Sequence, residues 1–456
     1  MALQISRILH AGYLFEHAGV RIAFDPIVEN PFSRNCHAFP QVRFDHAGFA
    51  AVKLDAVFIS HLHDDHCSLE SLDWIDRATP IYLYCLFDEL FALIRALGFT
   101  QVHGLGIDAP VQVGPFEVIP RRALDADVDA MFHVRADGLN VLNVVDAWMD
   151  PETLEQLQSF APWDMVLWPF QTMREMAVIA PSRAERAPAP VPLPEEWTAQ
   201  LASLAPRHIV PSSCQFVQED WSWYNHAMFP ITYAYFRQQI ETALPHARVL
   251  RLNPGVSVRL DADRLVAAAP LDWVIPVGEQ DVDFDYRPAA AAAPPTTAQI
   301  ARRFDDPGAA ATALVLDFCR NGLLARYRDM ELPEDSYFQA PRVWQLTLYD
   351  HRGDATCFRY RLHGDAIEAA DDDAGPLAWV SELPLAKCYA ALALGESLTS
   401  MYLRINDRVF DAQIEEQLLD ADLLDDPLIR CLFNDAVGAY QSAQLERIRA
   451  RRRESI

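Results

Sequence analysis

Short apolar runs of strand length, each closed by turn residues, fill the first third of the chain. YLFEHAGVRIAFDP predicts a hairpin that turns at Ala18-Gly19 and stops at Asp25-Pro26, where proline ends strand pairing. LDAVFIS is apolar throughout, the pattern of a strand covered on both faces. SLESLDWIDR has helical spacing with Ser68 as N-cap, PIYLYCL predicts a further strand, and FDELFALIRALGF an amphipathic helix closed by Gly98. LNVLNVVDA and WDMVLWPF are two more strands of the buried type. HIVPSS and RVLRLNPG resume the strand pattern after a proline-rich surface excursion over residues 180–195.

The patterning lapses at YRPAAAAAPPTTAQ, residues 286–299, where alanine and proline predict a linker. It divides a first domain, residues 1–285, from a smaller α+β domain, residues 300–456, as expected for a 456-residue chain. In the second part VWQLTLYDHRGDATCFRYRLHGDAIEAA predicts three strands joined by tight turns, LAKCYAALAL a helix, and the last 40 residues mostly acidic helix. This succession is similar in pattern to a sterol-carrier-like lipid-binding module. An accessory or dimerising domain over the first domain fits the same pattern.

Composition narrows the classes. The formal charge of −26 argues against a nucleic-acid partner, because a phosphate backbone calls for clustered Lys and Arg. The one basic run, RIRARRRESI, reads as the cationic end of a helix rather than a membrane-binding patch. Eight cysteines lie scattered without a C-x-x-C pair, which suits reduced thiols. With no signal-peptide pattern at the start and no apolar run of spanning length, a soluble cytoplasmic protein is expected.

The chemistry concentrates in ISHLHDDHCSLESL, residues 59–72. His61-x-His63-x-Asp65-His66 places three imidazoles and a carboxylate in a loop directly after a buried strand. Such donors suit zinc, iron or manganese, and a strand-end loop can aim several inward together. No G-x-S-x-G elbow or P-loop competes for a catalytic role.

This H-x-H-x-D-H motif resembles the signature of the metallo-β-lactamase superfamily. LHAGYLFEHAGVRIAFDP looks like that superfamily's opening hairpin, and Asp146 in VLNVVDAW sits like its bridging aspartate. The resemblance spans roughly residues 5–260. It implies an αβ/βα sandwich with two divalent metals, Zn or Fe, at one rim, and one of the two sites weak or empty. His61 and His63 would bind the first metal, Asp65 and His66 the second, and Asp146 would bridge them.

Two family histidines are missing. Near the third-motif position stand Arg121 and Arg122, with Asp125, Asp127 or Asp129 as substitutes, while His133 belongs to a strand pattern. Near the fifth-motif position stand Ser213 and Cys214, with His226 as a replacement. The closest likeness is to the branch of lactonases, phospholipase-D-like enzymes and the CMP-sialic acid hydroxylase. The paired C-x-H and C-x-x-H motifs of the hydroxylase's Rieske segment are absent. The di-iron β-hydroxylase of chloramphenicol biosynthesis is similar in carrying H-x-H-x-D-H with an added acidic ligand.

Three functions follow as expectations. The first is a metal-dependent hydrolase of an ester, lactone, amide or phosphodiester, with Asp65 orienting metal-bound hydroxide and accepting its proton. The second is a non-haem di-iron oxygenase fed by a separate Rieske or ferredoxin protein, and the third a degenerate fold that only binds. A small-molecule or lipid-like substrate, no membrane and a homodimer complete the expectations. The aromatic stretches WDMVLWPFQTMREM and QEDWSWYNHAMFPITYAYF serve core packing or wall a pocket, with Arg174 and Glu175 as substrate contacts.

Overall fold

A computed structural model of the chain describes residues 2–180, 187–262, 264–330, 332–334, 336–371, 373–396, 398, 400–406, 426–433 and 437–454. Two sheets stand face to face in the first domain. One orders its strands Leu265–Ala268, Ser257–Leu260, Leu3–Arg7, Tyr13–His17, Val20–Phe24, Ala56–Ile59, Ile81–Leu83 and Val102–Gly104. The other runs Arg248–Val249, His208–Ser212, Met165–Pro169, Leu139–Asn143, Ala130–Ala136, Phe116–Arg122 and Val111–Val113.

The apolar runs fold this way because both of their faces find cover. In Ala56–Ile59 every residue is buried; Ala56 and Phe58 enter the core between the sheets, while Val57 and Ile59 pack under the outer helices with Leu90 and Ile94. Met165–Pro169 is buried throughout in the same manner, with Val166 and Trp168 beneath Trp197 and Leu201 of the helix Glu195–Leu204. Helix, sheet, sheet and helix therefore stack as an αβ/βα sandwich, followed by an additional α+β region.

The predicted hairpin pairs Tyr13–His17 with Val20–Phe24 through Ala18 and Gly19, both at positive φ. Ser68 caps the short helix Leu69–Leu72 by accepting from Ser71 N, and Gly98 ends the helix Asp88–Leu97. RVLRLNPG is the weakest of the expected strands, reduced to the pair Arg248–Val249.

In the C-terminal part Ala366–Ala369, Ala355–His363, Arg342–Tyr349, Trp379–Pro384 and Arg404–Ile405 form one sheet in that order. Trp344, Tyr360, Trp379, Cys388 and Leu428 are at the centre of its core. The Ala/Pro-rich stretch is packed rather than free: it holds the helix Pro288–Ala291, with Ala291 buried, and begins the helix Thr297–Ala301 under a Thr296 capping box. Of the expected acidic helix over the last 40 residues, 417–425, 434–436 and 455–456 lie outside the described residues.

The terminal helix Ala439–Glu454 carries the basic run in its last turn, as expected, and it returns to the first domain, where Leu445 and Ile448 join the core beneath the metal-type loop. Arg447 and Arg451 reach Glu70, and Arg452 reaches Asp73, so acidic side chains of the first domain receive the cations. No helix among the described residues is long and apolar enough to cross a membrane.

Candidate metal centre

Strand direction decides which residues meet. Val20–Phe24, Ala56–Ile59 and Ile81–Leu83 run parallel, so the chain after Phe24 and the chain after Ile59 leave at one rim. Leu3–Arg7 lies two antiparallel pairings from Val20–Phe24 and points the same way, which brings His10 to that rim. In the facing sheet Leu139–Asn143 leads to Asp146. Ala130–Ala136 runs against it with Phe132 opposite Asn143, so the residue that enters this strand, Asp129, stands where its neighbour ends.

Backbone strain marks the same rim. His10, Asp25, Val145, Ser213 and Cys214 adopt φ values of 53°, 38°, 63°, 58° and 46°. Each such residue costs about 1–3 kcal/mol and persists where the surrounding structure over-determines it. Buried Arg7 helps to hold this geometry, donating to Pro211 O at 2.6 Å and to His10 O.

Two clusters of donor atoms result, each with its atoms within 4.8 Å of one another: His10, Asp65, His66 and Asp146, and beside it His61, His63 and Asp129. His66 Nε2 lies 3.0 Å from Asp146 Oδ2 and 3.3 Å from His10 Nε2, which in turn lies 3.1 Å from Asp65 Oδ2. His61 Nε2 and His63 Nδ1 are 2.9 Å apart, and the His61 and His66 rings are 4.1 Å apart between centroids.

Buried groups behind the clusters orient them. Asp25, fully buried, accepts from Ser60 N at 2.8 Å, from Ser60 Oγ at 2.7 Å and from His66 Nδ1 at 3.0 Å. Because Ser60 Oγ gives its proton to Asp25, it accepts from His61 Nδ1 at 2.9 Å. Both imidazoles thereby have Nδ1 engaged by these groups and Nε2 left toward the cluster, the orientation common in metal-binding histidines.

The electrostatics call for positive charge. Burial opposes ionisation of Asp146, yet His66 and His61 hold its carboxyl well below the usual range. Burial and the neighbouring Asp146 push Asp129 up to about 6. Against its own burial, Asp146 and Asp65 raise His66 well above its usual value, so positive charge is favoured at this point. Asp146 Oδ1, Asp129 Oδ1 and His10 Nδ1 are buried without a hydrogen-bond partner. Four imidazoles and three carboxylates with such unspent acceptors fit a pair of divalent cations.

The structure thus brings together His61, His63, Asp65, His66 and Asp146 from the expected set, and selects Asp129 from the acidic run. Asp125 and Asp127 are exposed and join neither cluster. Ser213 turns its hydroxyl to Ser212 O, and Cys214, its thiol raised by burial, lines the cavity without joining the donor atoms. His226 lies elsewhere, 3.1 Å from Asp285 O and beside Arg287, so it replaces no ligand. Arg121 is occupied with Asp108 and His133, and Arg122 with Glu152.

His10 was missed by sequence reasoning. It stands 51 positions before His61 in a turn with no second donor beside it, and only the sheet order brings it near. Its signal was present in LHAG, a polar residue closing an apolar strand just before the hairpin.

A cavity of about 460 Å³ opens over the clusters. His10, His63, Asp65 and Asp146 form one side; Ala391, Leu398, Ile429, Leu432 and Phe433 of the C-terminal part form the other. Glu175 lines it as well, whereas Arg174 does not. No lysine or arginine is among its described lining residues.

Residues 4–180 match the model of the beta-lactamase superfamily domain. No curated protein matches the chain. Among solved structures, a metallo hydrolase, Igni18, from Ignicoccus hospitalis is similar at 19% identity and TM-score 0.40, over 57% of this chain and 99% of that one. CmlA, a diiron beta-hydroxylase from Streptomyces venezuelae, is similar at 17% identity and TM-score 0.39, over 59% of this chain and 54% of that one. An isothiocyanate hydrolase from Delia radicum gut bacteria is similar at 16% identity and TM-score 0.41, over 58% of this chain and 100% of that one.

Proposed function

For a chain whose residues 4–180 form a domain of the metallo-β-lactamase superfamily, we propose a binuclear non-haem iron enzyme that oxygenates a small, largely apolar substrate. One observation carries this reading: Asp129 completes a group with His61 and His63, so the first site offers two imidazoles and a carboxylate. That donor set with open positions suits ferrous iron in oxygenases, and three carboxylates across two sites suit a harder, oxygen-rich centre than an all-histidine zinc site. Two irons held there would supply dioxygen activation, the two electrons and two protons needed beyond the substrate's C–H bond arriving through a separate redox protein.

The chain's own residues do the rest. Asp25 and Ser60 keep His66 and His61 in their binding tautomers. The apolar wall of Ile429, Leu432 and Phe433 limits water over the centre, and the absence of a described cationic lining residue favours a neutral or cationic substrate over an anion. Seven converging donors speak against a degenerate fold.

Hydrolysis is the second reading. It is favoured by Asp65, whose carboxylate lies on the cavity wall 3.1 Å from His10 Nε2, where it can take a proton from an attacking water. Elemental analysis of protein produced with both metals available decides between them. About two irons per chain with a near-ultraviolet band, and product formation that consumes dioxygen, are expected. About two zincs with turnover indifferent to dioxygen would overturn the oxygenase reading in favour of hydrolysis.

A further inference from the structure

The terminal helix Ala439–Glu454 lies far from the metal-type loop in sequence and against it in space. Two of its side chains, Gln441 and Gln444, are buried and turned toward that loop. Gln441 Nε2 donates to Leu62 O at 2.9 Å and to Cys67 O at 2.8 Å, tying both ends of the stretch that carries His63, Asp65 and His66. One helical turn on, Gln444 Oε1 accepts from Leu69 N at 2.6 Å and Nε2 donates to Ser68 Oγ at 2.8 Å. Four hydrogen bonds from two glutamines therefore satisfy backbone and N-cap groups of a loop that makes few bonds of its own.

Within that loop the backbone bonds are those of His66 N and Cys67 N to His63 O. They shape one tight turn and leave Leu62 O and Cys67 O to the helix. A carbonyl without a partner in a buried loop is costly, so the loop's conformation and the helix's seat are bound to each other. Outside this contact Arg447 and Arg452 form ion pairs with Glu70 and Asp73 that are partly exposed and contribute little individually.

We propose that Gln441 and Gln444 are positioning residues of the metal centre: through the backbone of residues 62–69 they hold His63, Asp65 and His66 at binding distance. The C-terminal region is then part of the site's construction and not an appendage. The inference rests on the metal-centre reading above, though not on which reaction follows.

The test titrates metal-free full-length protein with Co(II) alone, read by its visible absorption, beside thermal unfolding of the same metal-free samples. Gln441→Glu keeps the side chain's shape while turning two donations into repulsions; Gln441→Met removes the donors and keeps the apolar stem. Both are expected to weaken cobalt binding by tenfold or more, and Gln444→Ala by a smaller factor. Arg452→Ala, at the exposed end of the same helix, should leave it unchanged. A glutamine with a merely structural role would lower the unfolding temperature and leave cobalt affinity intact, and that result in folded Gln441→Met overturns the proposal. Absence of cobalt binding in the native chain would instead overturn the metal-centre reading itself.

Discussion

The Asp25 carboxylate stands 3.0 Å from His66 Nδ1 and is the reason His66 presents Nε2 to Asp146 and His10. Neither Asp25 nor the chain around it belongs to a donor cluster, yet a bond across 41 positions determines how a ligand faces. Asp25→Ala should therefore weaken metal retention by roughly 10–100-fold without removing a ligand. Equilibrium dialysis against graded iron or zinc measures this; unchanged retention would show that the tautomer is set by other groups.

Asp129 is the residue on which metal choice turns. Asp129→His substitutes an imidazole for an oxygen donor and should move the preference of the His61–His63 site from iron toward zinc. The iron-to-zinc ratio of protein purified from one growth medium, native beside variant, is the measurement. An unaltered ratio would count against Asp129 as a ligand.

His133 gives a pH dependence away from the clusters. Its Nδ1 accepts from Arg121 at 3.1 Å and its Nε2–H donates to Asn140 Oδ1 at 2.9 Å, and burial is the main cause that lowers it to about 4. An unfolded histidine titrates near 6.5, so above that pH both states are neutral and the group has no effect. As pH falls from about 6.5 toward 4 the unfolded chain takes up the proton first, and stability should drop by up to about 3 kcal/mol. Urea unfolding at pH 7.5 and pH 5 should show about 2 kcal/mol of this drop, and His133→Gln should reduce it.

Phe24 joins the fold to the site. Its ring packs on Phe15, Phe58 and Phe132 at centroid distances of 5.1, 5.4 and 5.1 Å, spanning both sheets one residue before Asp25. Phe24→Ala should cost about 3–5 kcal/mol of stability by emptying this junction. Denaturant midpoints measure the loss. A loss below about 1 kcal/mol would mean that the sheets close over the gap.

The αβ/βα architecture was legible because its signals are local. Strands buried on both faces need continuous apolar runs, and LDAVFIS and WDMVLWPF supply them; the hairpin needs a turn with positive φ, and Ala18-Gly19 supplies it. The same holds for His61, His63, Asp65 and His66, which share one loop and are neighbours wherever that loop goes.

The remaining donors were not written locally. Choosing Asp129 over Asp125 and Asp127 depends on which residue enters the strand Ala130–Ala136 beside the end of Leu139–Asn143, a matter of register between strands. His10 enters through the direction of Leu3–Arg7 in the sheet, and the terminal helix reaches the loop by folding back across the whole chain. Hydrophobic period and turn residues act over a few positions and so determined the strands, their turns and the motif. Distances between chain segments are decided by the packing of sheets and helices, so only the tertiary structure could complete the ligand set and decide what closes over it.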